Sequence, residues 1–220
     1  MIGPTTKSEI SETEVLNWVY EREASMATEH GSVEPVGDVV VRQFARAALL
    51  AALIGAVAPV SIPIPFSPAP ITLQVLFVFL AGLVLGPVWG TVSLTLYLAA
   101  GAVGIPVFAG FSAGPGVLFG RSGGYLWAYP VAAGLIGLLA HRGTDLRDPA
   151  DVSLPVLVGA LVAGTAVIYG MGSGYMAWLL DMTIVEALLV GAVPFVPVEL
   201  LKMVAAIAIV KSGRLQPVGT

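Results

Sequence analysis

A long stretch without any ionisable side chain limits what this chain can fold into. From Ala47 to Gly120 the sequence contains no Asp, Glu, Lys, Arg or His. The ranges 122–140 and 152–180 are also free of charged residues. A helix needs about 20 mostly apolar residues to cross a bilayer, and these runs are long enough for several crossings. Because backbone polar groups in lipid must be hydrogen-bonded internally, we predict an all-α polytopic membrane protein.

The composition agrees with this class and excludes several others. Only 11% of the 220 residues are charged, against roughly 25% in soluble domains. The absence of cysteine excludes disulfides and thiolate metal sites. His30 and His141 lie outside the apolar runs, so we expect no metal site and no cofactor within the membrane. The net charge of −4 does not favour nucleic acid as a partner.

Residues 1–41 are predicted to form an acidic cytoplasmic extension ahead of a membrane domain, 42–214. The first 43 residues carry eight acidic side chains and three basic ones. The range 11–14, Ser-Glu-Thr-Glu, fits a capping box, and apolar residues follow it at helical spacing. We expect an amphipathic helix over about 12–27 and then a linker. The extension is either a solvated tail or a helix that docks on a membrane surface or a partner.

Apolar segments separated by turn signals predict six transmembrane helices. Thr72 is a candidate N-cap of the second helix, and Gly86, followed by proline, separates the second from the third. Gly172 and Gly174 are predicted to end the fifth, and a short helix over 183–190 precedes the sixth. The predicted spans are about 44–61, 72–85, 88–103, 124–141, 154–170 and 196–211.

Two apolar segments are too irregular to be membrane-spanning helices. Four prolines fall within residues 63–70, so this segment is predicted to be an extended loop. The range 104–125 is rich in glycine, contains two prolines and carries several aromatic side chains. Non-helical backbone at membrane depth is tolerated where it is buried in protein or lines a cavity. We therefore predict a glycine- and proline-rich loop that lines a pocket.

The first predicted helix carries two rows of small residues at a spacing of four. Such rows let helices approach closely in lipid, where packing rather than hydrophobicity drives association. The rows either pack inside the bundle or face a partner subunit. They consist of Ala47, Ala51 and Gly55, and of Ala48, Ala52 and Ala56.

The start of the sixth predicted helix holds a carboxylate and an ammonium group. Pro197 suits the first turn of a helix, and the i,i+3 spacing puts Glu199 and Lys202 on one face. Ionisable side chains at membrane depth are costly, which indicates a binding pair that faces a cavity. An ion pair that merely neutralises itself within the helix is the alternative.

The distribution of basic residues predicts the orientation in the plasma membrane. With six crossings and both termini in the cytoplasm, most Lys and Arg residues fall on the cytoplasmic side. Of the ten basic residues only Arg121 and Lys202 break this rule. Both irregular loops and the range 171–193 open on the outer side. The pocket is therefore predicted to face outward.

Such a site suits a small, largely apolar ligand with an acid group and a hydrogen-bonding ring. Lys202 would attract a carboxylate, and Glu199 would accept hydrogen bonds from N–H donors. The predicted aromatic surround consists of Phe66, Phe108, Phe111, Tyr125, Tyr169, Tyr175 and Trp178.

Three runs of residues together resemble the BioY family, the biotin-binding membrane subunits of energy-coupling-factor (ECF) transporters. The resemblance covers about residues 42–214, with the runs in the family's order and spacing. The runs are Ile62 to Gln74 with its Pro-x-Pro-Phe and Thr-Leu-Gln patterns, Gly104 to Gly110 followed by Gly123 to Leu126, and Pro194 to Lys202.

The resemblance implies a subunit for biotin uptake that performs no bond chemistry, and therefore not an enzyme. Transport would require a transmembrane coupling protein and two ATPases, with the small-residue face of the first helix as their docking surface. The expected substrate-binding residues are Gln74, Phe108, Gly110, Ser112, Gly123, Gly124, Tyr125, Tyr169, Glu199 and Lys202.

The chain departs from the family pattern in three places. Glu199 stands where the family usually has Asp, so a small repositioning of the ligand is expected. Arg121 and Ser122 replace the Pro-Thr that usually precedes the paired glycines. The acidic extension has no counterpart in the family's core pattern.

Two other functions are alternatives to biotin capture. A secondary transporter or channel for a small carboxylated solute is the alternative, although the charge-free run argues against a proton relay. An intramembrane enzyme would need a nucleophile with a base, or metal ligands, which the apolar runs lack. No GxxxxGK[ST] pattern occurs, so any ATP must be used by another chain.

Overall fold

The computed structural model describes residues 12–29, 36–65, 67 and 69–213. The chain divides into two compact units, residues 1–40 and 41–220. The first unit contains helix α1, Glu12–Glu29. Trp18 on this helix is exposed, and the Arg22 guanidinium lies 4.5 Å from the centre of its ring.

Helices dominate the second unit, which confirms the prediction of a helical membrane protein. Within the described residues, five helical segments are long and apolar enough to cross a membrane. The expected all-α description misses a two-stranded ribbon, in which Ser61 pairs with Thr72 and Ile62 pairs with Ile71. The elements after α1 are α2 (Val36–Ala56), β1 (Ser61–Ile62), β2 (Ile71–Thr72), α3 (Gln74–Ala102), α4 (Pro115–Leu118), α5 (Gly123–His141), α6 (Leu154–Leu179), α7 (Ile184–Gly191) and α8 (Val196–Lys211).

The ribbon changes the boundaries of the first two predicted spans. Helix α2 begins earlier than the predicted span and ends at Ala56, because the chain turns toward β1 over the next residues. The prediction that Thr72 caps the next helix is wrong. Thr72 lies in β2, while Leu73 occupies the N-cap position of α3 without a side-chain cap bond. The paired strands hold together the two ends of the proline-rich loop.

Helix α3 reverses its direction at Gly86. Gly86 has φ 75° and ψ −173°, which are not helical angles. The side-chain amide of Gln74 donates a hydrogen bond of 2.6 Å to the Tyr97 hydroxyl. In a straight helix residues 23 positions apart would be separated by about 35 Å, so the arms 74–85 and 87–102 lie side by side.

Glycines let α3, α5 and α6 approach closely. A Cβ atom on Gly82 of α3 would lie 2.8 Å from Ile136 Cγ2 of α5. A Cβ atom on Gly172 of α6 would overlap the ring of Tyr125 on α5. The prediction that the fifth span ends at this glycine is wrong, since α6 continues to Leu179. The glycine provides space for a neighbouring ring and does not terminate the helix.

The end of the bundle at Gly86 is closed by a buried histidine. His141 is the last residue of α5, and its Nε2 lies 3.1 Å from the carbonyl oxygen of Leu83. Its Nδ1 accepts a 3.0 Å hydrogen bond from the backbone N–H of Arg147. At the same end, Lys211 Nζ donates to the carbonyl oxygens of Ala150 and Val152. These bonds fix the loop between α5 and α6 against the helix ends.

Replacing Gly86 by alanine is expected to lower the thermal unfolding temperature of the detergent-solubilised protein. Its backbone angles belong to a region that is essentially restricted to glycine, where strain costs about 1–3 kcal/mol. An added Cβ would also overlap Leu146. Gly159→Ala is the matched control, since its Cβ would meet nothing within 4 Å. Equal unfolding temperatures for the two variants would contradict this role of Gly86.

Candidate ligand-binding site

A cavity of about 150 Å³ lies at the end of the bundle opposite His141. The six helices α3 to α8 and both irregular loops contribute to its wall. The lining residues are Ala69, Pro70, Thr72, Gln74, Val75, Phe108, Ala109, Ser112, Val117, Ser122, Tyr125, Leu126, Tyr129, Ile168, Tyr169, Gly191, Phe195, Glu199 and Lys202.

The first turns of α8 bring the predicted charge pair to this cavity. Pro197 occupies the first turn of the helix, and Glu199 and Lys202 follow on one face. Lys202 Nζ lies 2.7 Å from Glu199 Oε1, with both side chains at least 95% buried. The Tyr169 hydroxyl donates a 2.9 Å hydrogen bond to the same carboxylate oxygen. The pair is therefore an internal ion pair and also part of the cavity wall.

The charge pair has bonding capacity that its protein partners do not use. Glu199 Oε2 is buried and accepts no hydrogen bond from any of the described residues. A buried acceptor without a partner costs about 1–3 kcal/mol, and more when it is charged. The ammonium of Lys202 carries three N–H donors, and its bond to Glu199 uses one. An acceptor and a donor thus lie next to each other in the wall.

Aromatic side chains from α5, α6 and the start of α8 form one side of the cavity. The rings of Tyr125 and Tyr169 meet edge to face at 5.9 Å, and Tyr169 lies 5.8 Å from Phe195. The Tyr125 hydroxyl donates a 2.9 Å hydrogen bond to the carbonyl oxygen of Gly191. This bond ties α5 to the end of α7. The contacts between the rings and the hydrogen bond of the Tyr125 hydroxyl together hold this side of the cavity in place.

The side of the cavity near α3 is held by an amide. Gln74 is the first residue of α3, is buried, and binds the Tyr97 hydroxyl on the antiparallel arm. Its Nε2 also lies 3.4 Å from the carbonyl oxygen of Val107. Phe108, which follows Val107, is fully buried, and its ring packs edge-on against that of Tyr97 at 5.5 Å. The glycine-rich loop is thereby attached to α3.

Seven of the ten residues predicted to bind substrate line the cavity. The three glycines, Gly110, Gly123 and Gly124, do not. Gly110 has φ 66°, and its N–H donates to the carbonyl oxygen of Ala58, so it shapes the loop. A Cβ on Gly123 would overlap the carbonyl oxygen of Leu118, and one on Gly124 would overlap Tyr175. These glycines allow backbone segments to pack closely. The seven lining residues are Gln74, Phe108, Ser112, Tyr125, Tyr169, Glu199 and Lys202.

The predicted aromatic surround is only partly present. Phe111 and Trp178 do not line the cavity, and 64% and 74% of their surface is exposed. Tyr175 donates its hydroxyl hydrogen to the carbonyl oxygen of Phe119 and does not line the cavity. Phe66 lies outside the described residues.

Sequence reasoning missed several lining residues. Tyr129 follows Tyr125 at the i+4 position of α5, so helical spacing would have placed both on one face. Phe195 directly precedes α8, and no sequence signal assigns a role to its side chain. Thr72 reaches the wall because β2 positions it, and a two-residue strand has no clear sequence signal.

The small residues of α2 divide between the core and an apolar groove. Ala47 is fully buried, and its carbonyl oxygen accepts a 2.8 Å hydrogen bond from Ser93 of α3. Ala47 therefore packs inside the bundle and is not part of an open docking face. The groove between α2 and α3 is lined by Phe44, Ala48, Ala51, Ala52, Gly55, Ala56, Leu96, Tyr97, Ala100, Ile105 and Val107.

A small, aromatic-walled cavity with a buried charge pair inside a helical membrane bundle is typical of one class, the membrane proteins that bind small solutes. Comparison with known proteins identifies the family within that class. Residues 25–217 match the BioY family. The chain belongs to the BioY family.

The relatives cover most of this chain and are themselves covered almost completely. The biotin transporter BioY of Thermotoga maritima is 40% identical over 166 residues, which are 76% of this chain and 92% of that protein. The probable biotin transporter BioY of Pyrococcus horikoshii is 38% identical over 80% of this chain and 96% of that protein. The crystal structure of the S-component for biotin from an ECF-type ABC transporter superposes with a TM-score of 0.72 at 28% identity, over 82% of this chain and 95% of that chain.

Removing one member of the charge pair is expected to destabilise the protein more than removing both. Lys202→Met leaves the Glu199 carboxylate buried without its counter-charge, which costs about 3–5 kcal/mol. The double variant Glu199→Leu/Lys202→Met replaces the pair by apolar side chains and should recover much of this loss. Thermal unfolding in detergent measures the difference, with Leu201→Met, an exposed position of the same helix, as the control. If the double variant loses as much stability as the two single variants added together, the buried pair is not energetically coupled.

Proposed function

We propose that this chain is the biotin-capture subunit of an ECF-type ABC transporter. The observation that carries the proposal is the buried Glu199–Lys202 pair in an aromatic-walled cavity, in a chain that belongs to the BioY family. The relatives named as biotin transporters and the S-component for biotin support the same conclusion. The chain binds and releases its ligand without forming or breaking covalent bonds.

The ureido ring of biotin matches the unused groups of the pair. A ureido ring presents an N–H donor next to a carbonyl acceptor. The N–H fits Glu199 Oε2, which accepts no bond from the described residues. The ureido carbonyl, rather than the carboxylate expected from the sequence, fits a free N–H of Lys202. Hydrogen bonds to charged partners are short and strong. Biotin thus supplies the partner that the buried carboxylate oxygen lacks.

The apolar part of biotin fits the rest of the wall. Tyr125, Tyr169 and Phe195 offer ring surfaces to the fused rings and the aliphatic chain. The hydroxyl group of Ser122, which comes from the glycine-rich loop, provides a donor for the carboxylate. A mostly apolar wall with a few placed polar groups is typical of small-molecule sites.

The proposed topology has six crossings of the plasma membrane, both termini in the cytoplasm and the cavity toward the outside. The reversal of α3 at Gly86 supports two crossings by its two arms. Arg142, Arg147 and Lys211 lie at the end of the bundle opposite the cavity, which supports a cytoplasmic location of that end.

Uptake in this proposal depends on a transmembrane coupling protein and two ATPase subunits. The sequence contains no Walker P-loop pattern, so ATP hydrolysis belongs to other chains. We propose the groove between α2 and α3 as the docking surface for the coupling protein. Its support is a lining of small residues, Ala48, Ala51, Ala52, Gly55 and Ala56, which allow a partner helix to approach closely.

Lys202→Ala is expected to weaken biotin binding by about 30-fold or more, because truncating one partner of a buried charge pair costs about 2 kcal/mol or more. Calorimetric titration of the purified, detergent-solubilised protein measures the affinity. Lys211→Ala is the matched control, since this lysine is exposed at the far end of α8. Size-exclusion chromatography verifies that each variant is folded. An affinity for biotin unchanged by Lys202→Ala would contradict the assignment of the site.

A further inference from the structure

The wall of the groove between α2 and α3 contacts the wall of the ligand cavity. Tyr97 and Val107 line the groove, whereas Gln74 and Phe108 line the cavity. Gln74 Nε2 donates to the Tyr97 hydroxyl at 2.6 Å and to the carbonyl oxygen of Val107 at 3.4 Å. The ring of Tyr97 packs against that of Phe108 at 5.5 Å. The groove wall and the cavity wall are therefore in direct contact.

Helix α2 meets Val107 at Gly55. A Cβ atom on Gly55 would lie 2.7 Å from Val107 Cγ1 and 3.1 Å from Val107 Cβ. Carbon atoms attract each other best at about 3.5–4.0 Å, so an alanine here would push Val107 away. Valine is β-branched and has little rotamer freedom. The displacement would therefore reach the backbone of the glycine-rich loop.

Phe108, which follows Val107, packs tightly against α3. Phe108 is fully buried, and a Cβ atom on Gly101 of α3 would overlap its ring. The N–H of Gly110 donates a 3.1 Å hydrogen bond to the carbonyl oxygen of Ala58, just beyond the end of α2. Close-packed interiors transmit displacements because they contain few voids. A shift of Val107 thus moves atoms of the cavity wall.

We propose that Gly55 is a positioning residue for ligand binding. By leaving room for Val107 against α2, it holds Gln74 and Phe108 in the places that the cavity requires. The structure of the groove and the affinity of the cavity are therefore coupled, although Gly55 does not line the cavity. The proposal rests on the proposed function, because biotin is the ligand whose affinity reports the coupling.

The coupling has a consequence for any partner that docks in the groove. A partner that displaces Val107 lowers the affinity for biotin. Because coupling free energies are reciprocal, bound biotin lowers the affinity for that partner by the same factor. The layer formed by Tyr97, Val107, Gln74 and Phe108 is the physical connection between the two surfaces.

The test is a double-mutant cycle between Gly55 and Val107, read by biotin titration of the purified full chain. Gly55→Ala is expected to weaken binding by about fivefold or more, which lies within the range for residues in contact. Val107→Ala removes the atoms that the new Cβ would strike. The double variant Gly55→Ala/Val107→Ala should therefore bind biotin within about twofold of Val107→Ala. Gly159→Ala makes the same chemical change where no atom lies within 4 Å, and it should bind as the wild type does.

Tyr97→Phe provides a second variant in case Gly55→Ala does not fold. It removes the hydroxyl that accepts the hydrogen bond from Gln74 and keeps the ring against Phe108. Its biotin affinity should also fall.

Several results would overturn the coupling. Wild-type affinity in a folded Gly55→Ala variant, or in Tyr97→Phe if Gly55→Ala does not fold, is one. Failure of Val107→Ala to restore binding in the double variant is another, since general destabilisation would not be relieved by a specific loss of volume. If the wild type and Gly159→Ala themselves fail to bind biotin, the proposed function is wrong, and that outcome is distinct from a loss confined to Gly55→Ala.

Discussion

The buried ion pair of Glu199 and Lys202 is the interaction on which the site depends. Removing two charged groups from water costs several kcal/mol for each ion, and their mutual attraction repays this only with good geometry and further hydrogen bonds. The structure supplies one such bond from Tyr169, and Glu199 Oε2 has no partner among the described residues. An incompletely bonded pair of this kind is suited to a ligand with matching polar groups. The irregular loops cover the pair and keep it apart from bulk water.

Glycine has a different role in this bundle from the one that its position in the sequence suggests. Gly124 and Gly172 bring α5 and α6 so close that any side chain on them would overlap a tyrosine. The same closeness places Tyr125 in the wall of the cavity and lets its hydroxyl reach Gly191. Gly55 provides a comparable space beside Val107. Close packing of backbones in lipid thus positions the aromatic side chains of the site.

Much of the fold and the chemical centre of the site could be predicted from the sequence. The helical i,i+3 spacing places Glu199 and Lys202 on one face, and the cost of buried charge indicates that they face a cavity. The extent of α6 could not be predicted, because a glycine that accommodates a neighbouring ring has the same local signal as one that ends a helix. The sequence likewise does not show that Gly110, Gly123 and Gly124 lie outside the cavity wall. The positions of Thr72 and Tyr97 depend on the tertiary contacts of a short ribbon and of a helix reversal, which local patterns do not encode.

Whether the cavity holds biotin is tested most directly by identifying the molecule that copurifies with the protein. The full chain would be produced in cells supplied with isotopically labelled biotin and purified in mild detergent. Native mass spectrometry would then measure the mass of the bound molecule and its ratio to protein. If the chain captures biotin in this cavity, the bound molecule is labelled biotin, with one molecule per chain. A different small molecule in the cavity, or a ligand-free protein that takes up no biotin when excess is added, would contradict it.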